Sequence, residues 1–275
     1  MTTPDLTELL ADSPSNWGKW GTDDEVGSLN YLTPEQVLGG VGLIRKGALF
    51  TLQRLIGDPA GDPVWPGRSP ATREMILDES HWDEGGDGPA FPGGLDKASV
   101  EPIAQRGVAG RAVLLDMARF RDVNHLAAGE TFDHTDLEKC AAAQGIEIKP
   151  RDILLIRTNH LALFFQDAEG FYGDFCEPGL VYSPELVQWF QSMEIPNLVT
   201  DTIANEITTD PHNGVALVLH NALMRNLGIA FTEICDLEKL AEDCAADGVY
   251  EFFYVAAPLK IHRASGSPVN PVVIK

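Results

Sequence analysis

Gly110-Arg111-Ala112-Val113-Leu114-Leu115-Asp116 decides the fold class. An uninterrupted apolar run bounded by turn and charged residues reads as a strand buried on both faces. The same pattern returns at Ile153 to Thr158, after the turn Pro150-Arg151-Asp152. Between the two runs, Thr135-Asp136-Leu137-Glu138 has the spacing of a capping box and opens a helix that Gly145 closes. Downstream, Ser183-Pro184-Glu185 starts a helix with Trp189 and Phe190 on its apolar side. Asn197 to Asp201 then reads as a short strand and Val215 to Leu227 as an apolar helix ending at Gly228. Ile229 to Ile234 follows as a strand, Asp236 to Ala246 as a helix and Phe252 to Ile261 as a closing strand. Strands alternating with helices in this way predict an α/β fold with a mixed sheet.

Upstream of the opening run the pattern is less regular. The first 30 residues, with Trp17-Gly18-Lys19-Trp20-Gly21, carry neither helical nor strand period and read as an ordered arm. Thr33-Pro34-Glu35-Gln36 supplies an N-cap, a proline at the first helical position and a capping-box glutamine, for a helix that stops before Gly47. Ala48 to Leu55 reads as a strand. From Gly57 to Leu95 the chain is dense in Gly, Pro, Asp and Glu, and a stretch of that length without regular structure is a functional loop or disorder.

Composition narrows the partners. The chain has 275 residues, 44% hydrophobic and 22% charged, enough for a sizeable core. Twenty Lys and Arg against 41 Asp and Glu give a net charge of -21, which repels nucleic-acid phosphates and anionic lipid surfaces. Cys140, Cys176, Cys235 and Cys244 lie far apart with no Cys-x-x-Cys pair, as expected of reduced thiols in a cytoplasmic protein. Met1 to Asp12 lacks the basic and apolar regions of a secretory signal, and no run of about 18 apolar residues spans a bilayer.

His220 and Glu233 are the leading candidates for chemistry. An imidazole and a carboxylate can bind Zn²⁺ or Mn²⁺ together, and such a metal makes hydroxide available near neutral pH. The structural alternative is a histidine packed on a helix and a glutamate whose charge suits a helix start. His212, eight residues before His220, shares its face if the helix begins that early, and is otherwise a surface turn residue. His160 directly follows a strand, where ligands gather in α/β folds. His81 lies among Asp78, Glu79, Asp83, Glu84 and Asp87, a composition that suits a metal site or a solvated acidic loop. His125, His134 and His262 have no evident partner. No Gly-x-Ser-x-Gly elbow, phosphate-binding Gly-x-x-x-x-Gly-Lys or dinucleotide Gly-x-Gly-x-x-Gly is present, and the acidic surroundings of Cys176 disfavour a thiolate nucleophile.

Four blocks carry a family resemblance: Asp24-Glu25-Val26-Gly27-Ser28-Leu29-Asn30-Tyr31-Leu32-Thr33-Pro34-Glu35, the run from Gly110 to Asp116, Arg151 to Thr158, and the tail from Ala256 to Pro271. Collinear over nearly the whole chain, they resemble the cyclase family of metal-dependent hydrolases, which includes bacterial kynurenine formamidase and isatin hydrolase. The likeness is greatest to its longer bacterial branch with a Trp-rich arm. What the resemblance implies is a swivelling β/β/α fold with a mixed sheet or barrel-like core and peripheral helices, one domain over residues 1–275 with an arm at 1–32 and an irregular region at 57–95. It further implies a homodimer or homotetramer that hydrolyses an amide, formamide or lactam with Zn²⁺- or Mn²⁺-bound water. His220 and Glu233 match the later half of the family's metal site, within one residue for the histidine. The earlier half, His-x-Gly-Thr-His-x-Asp-x-x-x-His before the strand at Gly110, is absent. The flanks still resemble the family, so a few tens of residues are missing around Leu95–Asp96.

Two accounts of that gap follow. Either the natural chain has lost the motif, or a segment of it is missing from this sequence; a peptide bond keeps the two Cα atoms about 3.8 Å apart. On a third account His81 and its acidic neighbours stand in for the lost half. Two ligands make a poor site, because catalytic zinc normally has three protein ligands. The competing function is therefore an inactive relative kept for ligand binding or oligomeric structure. No residue pattern names the substrate, and the pocket is expected from the loop at Gly57–Leu95 with Trp17 and Trp20.

Overall fold

The computed structural model describes residues 5–70, 99–173 and 175–275. His81 with its acidic neighbours, and the Leu95–Asp96 junction, lie outside the described residues. Those residues contain the strands β1 (Leu49–Thr51), β2 (Val108–Asp116), β3 (Thr131–Phe132), β4 (Ile153–Arg157), β5 (Gly179–Leu180), β6 (Asn197–Thr200), β7 (Ala230–Thr232), β8 (Glu251–Ala256) and β9 (Val272–Ile274). Seven of them form one mixed sheet in the order β1-β9-β8-β2-β4-β6-β7, and β3 pairs with β5 separately. The half from β2 to β7 is parallel; β8, β9 and β1 add antiparallel strands on the other side.

The apolar runs at β2 and β4 are continuous because both faces of the sheet are covered. Val113, Leu115, Leu154 and Ile156 point to one face, where they meet Leu137, Leu186, Phe190 and Leu223 from helices. Their neighbours Ala112, Leu114, Ile153 and Leu155 point to the other, against Leu237, Leu240, Phe252 and Tyr254. Strand alternation thus divides the core into two layers with the sheet between them.

Several boundaries differ from the sequence reading for local reasons. The helix expected from Thr135 runs from His134 to Ala143, because Asp133 and Asp136, not Thr135 and Glu138, make the capping box. The helix at Thr33 covers Pro34–Val41 and stops at Gly42, without a side-chain cap bond from Thr33. Its Gly40 lies so close to β2 that a Cβ atom would be 2.6 Å from the Gly110 carbonyl carbon. The helix expected from Val215 begins later: Ala216 bridges to Thr209, and Leu217 takes a left-handed φ of 54°. Its residues His220–Asn226 form a π-helix. The closing strand ends at Ala256, and the pattern gave no sign of β9 or of the helices Val100–Arg106, Ala162–Gln166 and Ala168–Gly173. No helix among the described residues is long and apolar enough to cross a membrane.

The arm is ordered because it satisfies carbonyls that the π-helix leaves open at its C-terminal end. The Asn16 backbone N–H donates to Asn226 O at 2.9 Å. Asn16 Nδ2 and Ser28 Oγ donate to Leu227 O at 3.0 and 2.6 Å, and Trp17 Nε1 donates to Arg225 O at 2.9 Å.

Candidate functional site

The parallel strands deliver polar residues to one edge of the sheet, where α/β folds bind ligands. Asp116 ends β2, Thr158 follows β4, Asp201 follows β6 and Glu233 follows β7. The loop after β6 then supplies Asn205 and Glu206, both buried.

Glu206 organises the start of the π-helix. Its carboxylate accepts the Leu219 and His220 backbone N–H groups at 2.7 Å each, two donors that a helix start leaves without partners. The same carboxylate lies 2.7 Å from His220 Nδ1. His220 Nε2 faces Glu233 Oε1 at 3.5 Å, and the ring packs edge-on against Phe231. Asn205 donates from Nδ2 to Glu233 Oε1 at 3.2 Å, while its Oδ1 is buried without a partner. Burial disfavours the imidazolium, but the bonds to Glu206 and Glu233 and their negative charge outweigh it and push the His220 pKa up to about 9.

Two more buried carboxylates hold the surroundings. Asp201 accepts the Thr158 and Asn159 backbone N–H groups and the Thr158 hydroxyl. Glu177, fully buried, accepts the Ile203 N–H on both oxygens at 2.8 and 3.0 Å. Burial pushes the Glu177 carboxyl up to about 8, with the charges of Glu233 and Asp201 adding to the shift.

Of the sequence candidates, the fold brings His220 and Glu233 together. His212 does not share the helix face, because it lies in an exposed turn before the helix begins. His160 is buried beyond β4 with Nδ1 3.1 Å from Leu126 O and its ring against Phe171; burial lowers its pKa. His125 Nδ1 lies 3.1 Å from the same carbonyl, His134 starts a helix beside Trp189, and His262 pairs with Glu101 at 2.8 Å. All four cysteines are free. The sequence reading missed Glu177, Asp201, Asn205 and Glu206. Only Asp201 carried a signal, its place at the end of a strand.

A cavity of about 420 Å³ is lined by Asp62, Trp65, Arg68, Phe164 and Tyr172, so the first part of the Gly57–Leu95 loop does wall a pocket. Trp65 and Phe164 join an apolar cluster with Ile203 and Ile234, which neighbour Asn205 and Glu233 in the chain. Trp17 and Trp20 lie elsewhere. Trp17 is 72% exposed and binds Arg225 O near the far end of the π-helix, and Trp20 packs edge-on against Tyr31.

Among the described residues, no group of three or more His, Cys, Asp or Glu side chains is disposed to hold a metal ion. His220 and Glu233 nevertheless fit as part of such a set. Two ligand atoms on one tetrahedral ion at about 2.1 Å are roughly 3.4 Å apart, against the 3.5 Å between Nε2 and Oε1. The carboxylate on Nδ1 is the usual outer partner of a ligating imidazole, and the orphaned Asn205 Oδ1 is a further oxygen donor beside the same glutamate.

The profile of the cyclase family matches residues 79–207. The solved structure of a novel cyclase is 32% identical, with 95% of this chain and 99% of that chain covered and a TM-score of 0.79. Isatin hydrolase A from Ralstonia solanacearum is 20% identical over 100% of this chain and 99% of its own, with a TM-score of 0.56. Isatin hydrolase A from Labrenzia aggregata, bound to benzyl benzoate, is 19% identical over 90% and 98%, with a TM-score of 0.54. At those identities the two hydrolases are similar in fold alone. No curated protein matches the chain.

Proposed function

The chain belongs to the cyclase family, and from that premise we propose that it is a metal-dependent hydrolase of an amide, formamide or lactam C–N bond. His220 and Glu233 are two of its metal ligands, for Zn²⁺ or Mn²⁺. The observation that carries this reading is the opposition of His220 Nε2 and Glu233 Oε1 at 3.5 Å, with Glu206 holding Nδ1 at 2.7 Å. A divalent ion bound there supplies polarisation of the scissile carbonyl and a nucleophile at neutral pH.

The chain's own residues supply orientation and proton control. Glu206 accepts the Nδ1 proton of the neutral ring, which leaves the lone pair on Nε2 and aims it at Glu233. Asn205 donates to the Glu233 oxygen nearest the imidazole and restrains that carboxylate. Trp65, Phe164 and Tyr172 offer an apolar wall for the organic part of a substrate.

On one of the accounts given above, His81 with its acidic neighbours stands in for the earlier half of the ligand set. His81→Ala and His220→Ala are then expected to reduce metal content alike. Loss in the His220 variant alone removes His81 from the set. We propose a homodimer or homotetramer, which sedimentation velocity reads as mass; a monomer at micromolar concentration refutes it.

The hydrolase reading is tested by metal analysis of purified protein with assays on N-formylkynurenine and isatin. Stoichiometric metal and turnover abolished by a chelator are expected. Metal-free protein without turnover on either compound favours the competing reading, an inactive relative kept for ligand binding or oligomeric structure.

A further inference from the structure

Residues 177–180 and 203–208 meet at four places. The Glu177 carboxylate accepts the Ile203 N–H, and the Glu177 N–H donates to Thr208 Oγ1 at 2.8 Å. Leu180 O accepts the Ile207 N–H at 3.1 Å, within a parallel bridge between Leu180 and Glu206. At Gly179, a Cβ atom would come within 2.6 Å of the Ile207 nitrogen and press on the Glu206 backbone. Glycine is therefore what lets the two segments approach.

The strap mounted in this way carries both groups that hold the proposed ligands. Asn205, with a left-handed φ of 56°, reaches Glu233, and the next residue, Glu206, reaches His220. Adjacent side chains on one short segment thus orient the imidazole and the carboxylate together. A segment of this kind holds its geometry only if its backbone is pinned, because ligand sites tolerate errors of about 0.5 Å.

We propose that Glu177 and Gly179 are positioning residues of the site, fixing the strap at residues 203–208 and through it the relative placement of His220 and Glu233. Neither touches the proposed ligands. The role rests on the metal reading above for its purpose, yet its geometry is testable without metal.

The test uses full-length protein stripped of metal, as wild type, Glu177→Gln and Thr208→Val. Each is titrated with Zn²⁺ and with Mn²⁺ by calorimetry, and the His220 Nδ1–H signal is followed by ¹⁵N NMR in the same samples. Glu177→Gln keeps the shape but loses one acceptor oxygen; Thr208→Val removes the second pin and leaves Glu177 intact. Outer partners of metal ligands, as Glu206 and Asn205 are here, typically contribute about 10- to 100-fold in affinity, so for the pins one step behind them a loss of up to about 10-fold is expected in both variants. A weakened Nδ1–H signal should already be visible before metal is added. Gly179→Ala should act in the same direction and more strongly. Unchanged affinity with an unchanged signal in Glu177→Gln and Thr208→Val overturns the proposal. Should the wild type take up no metal while its His220 signal still responds to Glu177→Gln, the metal reading falls and the positioning role stands. An unresponsive signal in that case removes both.

Discussion

Without metal His220 sits between the side chains of Glu206 and Glu233, and its raised pKa links stability to pH. Its pKa of about 9 exceeds the ordinary value near 6.5. A group raised on folding contributes fully below its unfolded pKa and loses that contribution as pH climbs through the folded one. The shift corresponds to something on the order of 3 kcal/mol. Thermal melts of metal-free protein should therefore fall between about pH 6.5 and 9, and His220→Gln should flatten that decline. An equal decline in the variant assigns it to other groups. At this scale the sequence was half legible. His220 and Glu233 stood out because a helix histidine and a glutamate at the end of the next apolar run match the later half of the metal site that the family resemblance implies. Glu206, Glu177 and Asn205 were hidden among 41 acidic residues and many polar loop positions. Only the fold distinguishes a carboxylate that grips backbone N–H groups from one that faces water.

The π-helix and the arm behave as one element. Gly228 follows the helix with a φ of 69°, and a Cβ there would lie 2.9 Å from the Gly27 Cα, where the arm crosses. Gly228→Ala meets both a left-handed backbone and a backbone neighbour, and overpacking alone typically costs about 1–3 kcal/mol. Urea unfolding should show a lower midpoint, equivalent to a stability loss of that size, with faster amide exchange at Ser28, whose N–H donates to Gly228 O. A midpoint within experimental error of wild type would mean the crossing has slack. The strands in the parallel half were easy to read, since burial on both faces leaves unbroken apolar runs. Helix starts were harder. Asp133 rather than Thr135 caps its helix, through bonds to its own neighbours Thr135 and Asp136 that leave two overlapping capping patterns in the sequence, and the left-handed Leu217 delays another. β9 was missed because Gly266, Pro268 and Pro271 punctuate the tail just before it.

Across the whole molecule a net charge of -21 dominates the long-range field. Like charges repel over about 30 Å at 10 mM salt but only about 8 Å at 150 mM. The melting temperature at pH 7 should therefore rise by a few degrees over that range; a flat or falling trend would show that local ion pairs outweigh self-repulsion. The α/β class was legible at this scale because strand and helix signals alternate. The order of strands was not, since nothing local marks where the antiparallel strands β8, β9 and β1 join. The bond from Asn16 to Leu227 closes a loop of 211 residues. On a ribosome adding roughly 5–20 residues per second, the arm waits on the order of tens of seconds for its docking partner to be made. When the helix bearing His220 is finally made, the mates for its last carbonyls are already waiting, so docking of the arm is timed by the folding of that helix.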